Sequence, residues 1–373
     1  MQEPDLPARI HLVLWAAFAL AVVFGAIAQR ARFCTMGAVA DVVHMGDWTR
    51  MRMWLLAMGV AMIGFNVMVF FGIVDAKNSV YAGPRLIWLS NLVGGLMFGF
   101  GMVLASGCGN KTLVRVGTGN LKSLVVFAVM GITTYATLRG ITAVVRVATL
   151  DTVALSMPVG QDLPSLLAHV TGIDRQTLAL LLGSGLGLAL LIFCVARPEG
   201  RSAEVLLAGL TIGAVIVAVW WVSGRLGHLA EHPQTLEEVF LATNTQRMES
   251  LTFVAPTAYT LDWLMLFSDK NKVLTIGIVS TFGVIVGSFI VAIWTRTFRW
   301  EGFAGAQDTS NHLVGALLMG VGGVTAVGCT IGQGLSGVST LALGSFIALA
   351  AIIAGAVLAL RYQAWRIDRL GEP

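Results

Sequence analysis

The sequence predicts an all-α polytopic membrane protein, with about nine transmembrane helices in two inverted-topology repeats and re-entrant loop helices between them. Three observations predict it. Only 12% of the 373 residues are charged and mean hydropathy is +0.81, whereas soluble proteins carry about 25% charged residues. Apolar runs of about 20 residues, enough to cross ~30 Å of hydrocarbon, recur along the whole chain. The two halves also share a glycine-rich segment that ends in Gly-Cys.

Taken in order, the expected spans are 10–29, 52–73, 86–106, 121–146, 177–196, 203–222, 273–295, 311–328 and 339–361. The first follows Glu3 and Asp5 and has no small-residue cleavage site after it, so it reads as a span and not a signal peptide. The stretches 31–45, 108–117 with its counterpart 329–338, and 251–268 are too short or interrupted to cross. They are expected as re-entrant or interfacial pieces, covered by protein or by a water-filled cavity. Nine spans put the termini on opposite sides, and positive charge chooses between them. Arg30, Arg32, Arg50 and Arg52 follow span one, Lys111, Arg115 and Lys122 follow span three, and Arg361, Arg366 and Arg369 follow span nine. The acidic loop 231–249, with Glu231, Glu237, Glu238 and Glu249, then falls outside. The expected location is the bacterial inner membrane, N-terminus outside and C-terminus inside.

Residues Leu92–Cys108 align without gaps on Leu313–Cys329, and 10 of the 17 positions are identical. The matches include Gly94/Gly315, Gly99/Gly320, Gly101/Gly322, Gly107/Gly328 and Cys108/Cys329. The same offset of 221 sets Asp41 on Asp262 and overlays span two on span seven. Spans one to four then correspond to six to nine, and a displacement of five spans inverts the second copy. Residues 1–150 form the first repeat, 151–200 a connector that includes span five, and 201–373 the second repeat. Transporters built this way hold substrate near midplane, where the repeats meet.

Each copy breaks after its cysteine. One break reads Gly107-Cys108-Gly109-Asn110-Lys111-Thr112, and the other Gly328-Cys329-Thr330-Ile331-Gly332-Gln333-Gly334-Leu335-Ser336-Gly337. Glycine at this density lets the backbone leave helical geometry. A helix that starts there aims free N–H groups and a positive dipole end at an anion. A thiol adds a weak donor and a polarizable contact that holds loosely, which suits transit. Thr330, Gln333 and Ser336 offer neutral donors to an anion, or satisfy unwound backbone. Lys111 and Arg115 attract the anion or set topology. Asp41 and Asp262 read as helix caps or interface residues in preference to proton relays. Cys34, beside the short segment 31–45, has no cysteine counterpart near Val254–Ala255. Cys194, among leucines and isoleucine in span five, reads as packing. The four cysteines form no CxxC pair, so neither a zinc site nor a disulfide framework is expected.

The motifs Arg32-Phe33-Cys34, Ser106-Gly107-Cys108-Gly109-Asn110-Lys111-Thr112 and Gly328-Cys329 through Gly337 resemble the YeeE/YedE family of bacterial sulfur-compound transporters. The resemblance covers essentially the whole chain. It implies an hourglass of inverted repeats, import of thiosulfate, and a relay of the anion between Cys34, Cys108 and Cys329. It also implies a cytoplasmic sulfur-carrier partner of the TusA type, which this chain does not contain. The stretch after Cys108 resembles a subgroup with relatives linked to selenium, so selenium or another sulfur species stands as an alternative substrate.

The expected partners are therefore a small inorganic sulfur anion and the lipid bilayer, with no nucleic acid and no cofactor. No Walker-type phosphate loop occurs, because the run around Lys111 lacks the required spacing. A membrane thiol enzyme with Cys108 as nucleophile is the reading from another class. It would need a base beside the thiol, and the six histidines form no motif for one. A purely structural subunit is disfavoured by polar, cysteine-bearing breaks inside the membrane.

Overall fold

Apolar runs with so few charges fold as helices, because hydrocarbon offers backbone N–H and C=O groups no other partners. The computed structural model describes residues 6–232 and 236–370. In chain order its helices are α1 (Leu6–Arg30), α2 (Thr35–Met45), α3 (Thr49–Phe70), α4 (Trp88–Leu104), α5 (Gly109–Gly117), α6 (Leu121–Arg139) and α7 (Ile141–Ala148). They continue as α8 (Leu163–Thr171), α9 (Arg175–Val195), α10 (Ala203–Trp221), α11 (Ala255–Met265), α12 (Ile276–Trp294), α13 (Ala306–Thr325) and α14 (Leu343–Leu370). Among the described residues strand is confined to two short antiparallel pairs, Arg85–Leu86 with Leu155–Ser156 and His228–Leu229 with Val239–Phe240. Both pairs tie loops together.

The protein is an all-α polytopic membrane protein. Eight helical stretches among the described residues are long and apolar enough to cross a membrane. The expected eighth span is the exception. Its helix, α13, opens on Gln307, Asp308, Thr309, Ser310 and Asn311, and these polar turns dilute its apolar run. The expected fourth span also ends early, at Arg139, because Gly140 breaks the helix before α7. The four short segments appear as the short helices α2, α5 and α11 and as a wide π-helical turn at Gly332–Gly337.

Packing places these elements. Helix α1 lies along α12, and α10 lies along α3; α14 lies along α4, and α6 lies along α13. At the centre α4 crosses α13 directly. Glycine permits the close approach: a Cβ on Gly94 would sit 2.7 Å from the Gly322 carbonyl oxygen, and one on Gly101 2.7 Å from that of Gly315. The reverse contacts match, at 2.6 Å from Gly322 to Gly94 and 2.6 Å from Gly315 to Gly101. Small residues let membrane helices gain dispersion contact where no hydrophobic force drives them together. The two short helices α2 and α11 are each closed by an ion pair, Asp41 with Arg50 and Asp262 with Lys272. Both aspartates therefore act at interfaces between elements.

A side chain forced into the α4–α13 crossing should loosen it. Gly322→Val is expected to lower the melting temperature of the detergent-purified protein, an overpacking cost of about 1–3 kcal/mol. Gly302→Ala, where a new Cβ meets only open space, should leave it unchanged. Equal melting temperatures for the two variants would contradict the close crossing.

Candidate functional site

Three of the four cysteines occupy one local geometry. Helices α1, α4 and α13 each end with a non-glycine residue in the left-handed region: Arg32 at φ 51°, Ser106 at φ 55° and Val327 at φ 60°. After each, the chain turns back through a six-to-one hydrogen bond: Phe33 to Ala28 at 3.0 Å, Gly107 to Met102 at 2.8 Å and Gly328 to Gly323 at 2.8 Å. This is the Schellman closure of a helix end, which satisfies carbonyls that no water reaches. The valine is the costly case, since a β-branched residue avoids positive φ. A cysteine then follows two residues beyond each left-handed residue, at Cys34, Cys108 and Cys329. Cys34 and Cys108 are the residues immediately before α2 and α5, and Cys329 heads the turn that leads into Gly332–Gly337. Two of the thiols act as caps: Cys34 Sγ accepts from Gly37 N at 3.5 Å, and Cys329 Sγ accepts from Gly332 N at 3.4 Å.

The fold brings the three together in a row. The Cys34 and Cys108 side chains lie next to each other, and the Cys108 side chain lies next to that of Thr330, which follows Cys329 in sequence. All three cysteines are buried and none is in a disulfide. Beyond Cys329 stands Thr252, its hydroxyl 3.9 Å from the sulfur. On the other side, near Cys34 and Cys108, lie the cations Lys111, Arg115 and Arg50. Cys194 lies apart. Its thiol donates to the Arg52 carbonyl at 3.1 Å, so it holds the end of α9 against α3.

A second regularity lies beside the thiols. Thr35 follows Cys34, Asn110 follows Cys108 by two, and Thr330 follows Cys329. These three are 2%, 1% and 0% exposed. The hydroxyls of Thr35 and Thr330 and both amide atoms of Asn110 lack any nitrogen or oxygen partner. An unsatisfied buried polar group costs about 1–3 kcal/mol, so native proteins keep few without a reason. Sequence reasoning missed Thr35, although its place directly after a cysteine in a break was visible.

The other expected residues take structural places. Thr112 donates its hydroxyl to the Cys108 carbonyl at 3.1 Å, and Ser336 donates to the Leu251 carbonyl at 2.8 Å. The Gln333 amide nitrogen donates to the Ala326 carbonyl, which leaves only its oxygen without a partner. Arg115 donates to the Ser106 carbonyl at 2.8 Å and so braces the left-handed turn before Cys108. Gly107 and Gly328 complete the two turns, and Gly109 begins α5. At Gly334 a Cβ would stand 2.6 Å from the Trp54 ring, so the ring packs on bare backbone there. The described residues hold no cluster of His, Cys, Asp or Glu suited to a metal.

Residues 30–358 match the model of the Sulphur transport family, and the chain belongs to that family. Among its curated relatives is "Thiosulfate transporter TsuA" of Escherichia coli, 28% identical over 344 residues that cover 89% of each chain. The protein of the same name from Spirochaeta thermophila is 27% identical over 362 residues, 92% of this chain and 97% of its own. "Probable transporter YedE" of Salmonella typhimurium is 32% identical over 108 residues, 29% of this chain and 25% of its own.

The contact between Cys34 and Cys108 can be read chemically. Mild oxidation of the purified protein should link these two thiols, giving a mass loss of two hydrogens that peptide mapping assigns to them. Cys194 should remain free throughout. A linked pair that includes Cys194, or no linkage under conditions that oxidise a surface dithiol, would contradict the arrangement.

Proposed function

We propose that this member of the Sulphur transport family imports thiosulfate, or a closely related sulfur anion, along the row Cys329, Cys108 and Cys34. What carries the reading is that beside each thiol stands a buried polar side chain, Thr35, Asn110 or Thr330, without a nitrogen or oxygen partner. Thiols and unpartnered hydroxyl and amide groups together can replace part of an anion's hydration shell. None of them is a fixed cation in contact with the row, so binding stays loose enough for release. The thiolate is not required, because an S–H group can donate to the anion directly. The names of the full-length relatives support thiosulfate over other sulfur species, and they support a transporter over an enzyme.

The proposed direction follows from charge. Arg50, Lys111 and Arg115 flank the Cys34–Cys108 end of the row, and excess Lys and Arg mark the cytoplasmic side of membrane proteins. The inner membrane, with the N-terminus outside and the C-terminus inside, is the corresponding placement. Cys329 then receives the anion first and Cys34 delivers it to the cationic inner side, where a TusA-like carrier, implied by family resemblance alone, is the proposed recipient.

The same proposal includes two inverted repeats, 1–150 and 201–373, joined by a connector at 151–200. Reciprocal packing supports it. If α1 corresponds to α10 and α3 to α12, then α1 against α12 and α10 against α3 are one contact seen twice. Gly94 against Gly322 and Gly101 against Gly315 form the same kind of pair, as a two-fold axis requires.

Uptake of radiolabelled thiosulfate by proteoliposomes tests the row. Cys108→Ala and Cys329→Ala are each expected to lower uptake at least tenfold, about 1.4 kcal/mol per lost contact, while Cys194→Ala retains it. Undiminished uptake by both pathway variants would sink the relay. Uptake of no sulfur anion by the folded wild type would remove the transport reading itself.

A further inference from the structure

A cavity beside the thiol row holds a carboxylate, Glu249, that no cation pairs with among the described residues. A cavity of about 220 Å³ reaches Gly328 and Thr252, beside Cys329, and is lined by Tyr81, Arg146, Glu249 and Tyr259 among others. It shares Tyr81 and Val327 with a smaller polar cavity of about 110 Å³ that contains Arg85, Asn91 and Gln333. Towards the surface it shares Asn244 and Tyr259 with a third, of about 390 Å³. The three cavities adjoin one another and lead from the outer loops to the turn before Cys329.

The charges along this path can be assigned one by one. The outer cavity holds Arg139 and Lys272 against Asp262 and Asp269, and is neutral in sum. Further in, Arg85 and Arg146 both bind Asp151: Arg85 donates to its backbone carbonyl at 2.6 Å, and Arg146 pairs with its carboxylate at 2.9 Å. Ser90 donates to the other carboxylate oxygen at 2.6 Å. That group carries one net positive charge. Glu249 is the remaining charged residue of the inner cavity. Among the described residues no Lys, Arg or His pairs with it. Its surroundings are the hydroxyl-bearing rings of Tyr81 and Tyr259 and the backbone N–H of Asn244, which donates to the carboxylate. Its backbone N–H donates to Ser223 Oγ at 2.9 Å, and the residue is only partly exposed.

Resting on the thiosulfate-import reading, we propose that Glu249 is a proton site that controls admission of the anion: protonated, it leaves the vestibule net positive and can donate to the anion; ionised, it cancels that charge and repels the anion. The second half follows from arithmetic over the inner charges, since one more negative charge brings their sum to zero. The first half is consistent with the acid strength of the group, because burial without a cation raises its pKa to about 8. The sign is set by this direction. Below the raised pKa the carboxyl keeps its proton and the path is open; above it the path closes. By linkage, anion binding must also raise proton affinity at Glu249 by the same factor that protonation raises anion affinity.

Thiosulfate uptake by proteoliposomes at sub-saturating concentration tests this, because the anion itself keeps one charge state from pH 6 to 9. Wild-type uptake should fall about tenfold between pH 7 and pH 9, following the protonated fraction of one group with pKa near 8. Glu249→Gln, which mimics the protonated carboxyl, should hold the low-pH rate and change less than twofold. A wild-type pH profile in Glu249→Gln, with the variant folded by size-exclusion chromatography, would overturn the proposal. A second readout needs no variant: adding thiosulfate to the wild-type protein in weak buffer at pH 8.5 should draw protons from solution, and binding with no proton uptake would overturn it equally. Wild type that transports no thiosulfate at any pH would instead defeat the import reading on which this rests.

Discussion

A helix that stops inside a membrane must satisfy its last carbonyls and the next helix's first amides without water. The organisation of this protein follows from how that is done at three places. Helices α1, α4 and α13 each close by a Schellman turn with a left-handed residue, and the next helical turn begins at a cysteine. Sulfur is a weak acceptor, and at Cys34 and Cys329 the cap bonds are long, 3.5 and 3.4 Å. A serine or aspartate would cap more strongly. The choice of cysteine gives up helix-end stability for a soft, neutral group at the point where an anion would pass. The strained Val327 and the unpartnered groups of Thr35, Asn110 and Thr330 each lie within two residues of one of these cysteines. Strain and unsatisfied polarity concentrate at functional sites when the surrounding packing is strong enough to hold them. Here that packing is the α4–α13 crossing and the long helices beside it.

Much of this was legible in the sequence. Hydropathy and length located eight of the nine expected spans as helices long and apolar enough to cross, because apolar runs in a membrane have no other fold to adopt. The glycine-cysteine duplication marked both breaks, since glycine density and a shared ending survive as text. Cys194 was separable from the others because its neighbours are all packing residues. What was not legible depends on distance in space. No spacing in the sequence says that Cys34 lies against Cys108, 74 positions away in numbering. Nor does residue type show that Ser336 and Thr112 spend their hydroxyls on carbonyls while Thr35 and Thr330 do not. The early end of α6 was written in Gly140, but one glycine in an apolar run is a weak signal, and the run continues past it to Val147.

The electrostatics divide the path into two unlike ends. Arg50, Lys111 and Arg115 make one end strongly cationic, yet Arg50 is held by Asp41 and Arg115 by the Ser106 carbonyl. Lys111 stands with them beside Cys34 and Cys108. At the other end Asp151 holds both Arg85 and Arg146. Between them the row offers only thiols, hydroxyls and an amide. On the proposed route such a gradient would draw an anion through and let it go, which a ring of free arginines would not do.

The central claim is that the anion sits on the three thiols and their polar neighbours. A structure of the protein with thiosulfate bound tests it most directly, with the anion located by its sulfur anomalous signal. Density is expected between Cys329 and Cys108, with an oxygen or the terminal sulfur within hydrogen-bonding distance of a thiol and of the Thr330 or Asn110 side chain. Thiosulfate bound only among Arg139, Lys272 and the outer loops, with the thiol row empty at saturating anion, would contradict it.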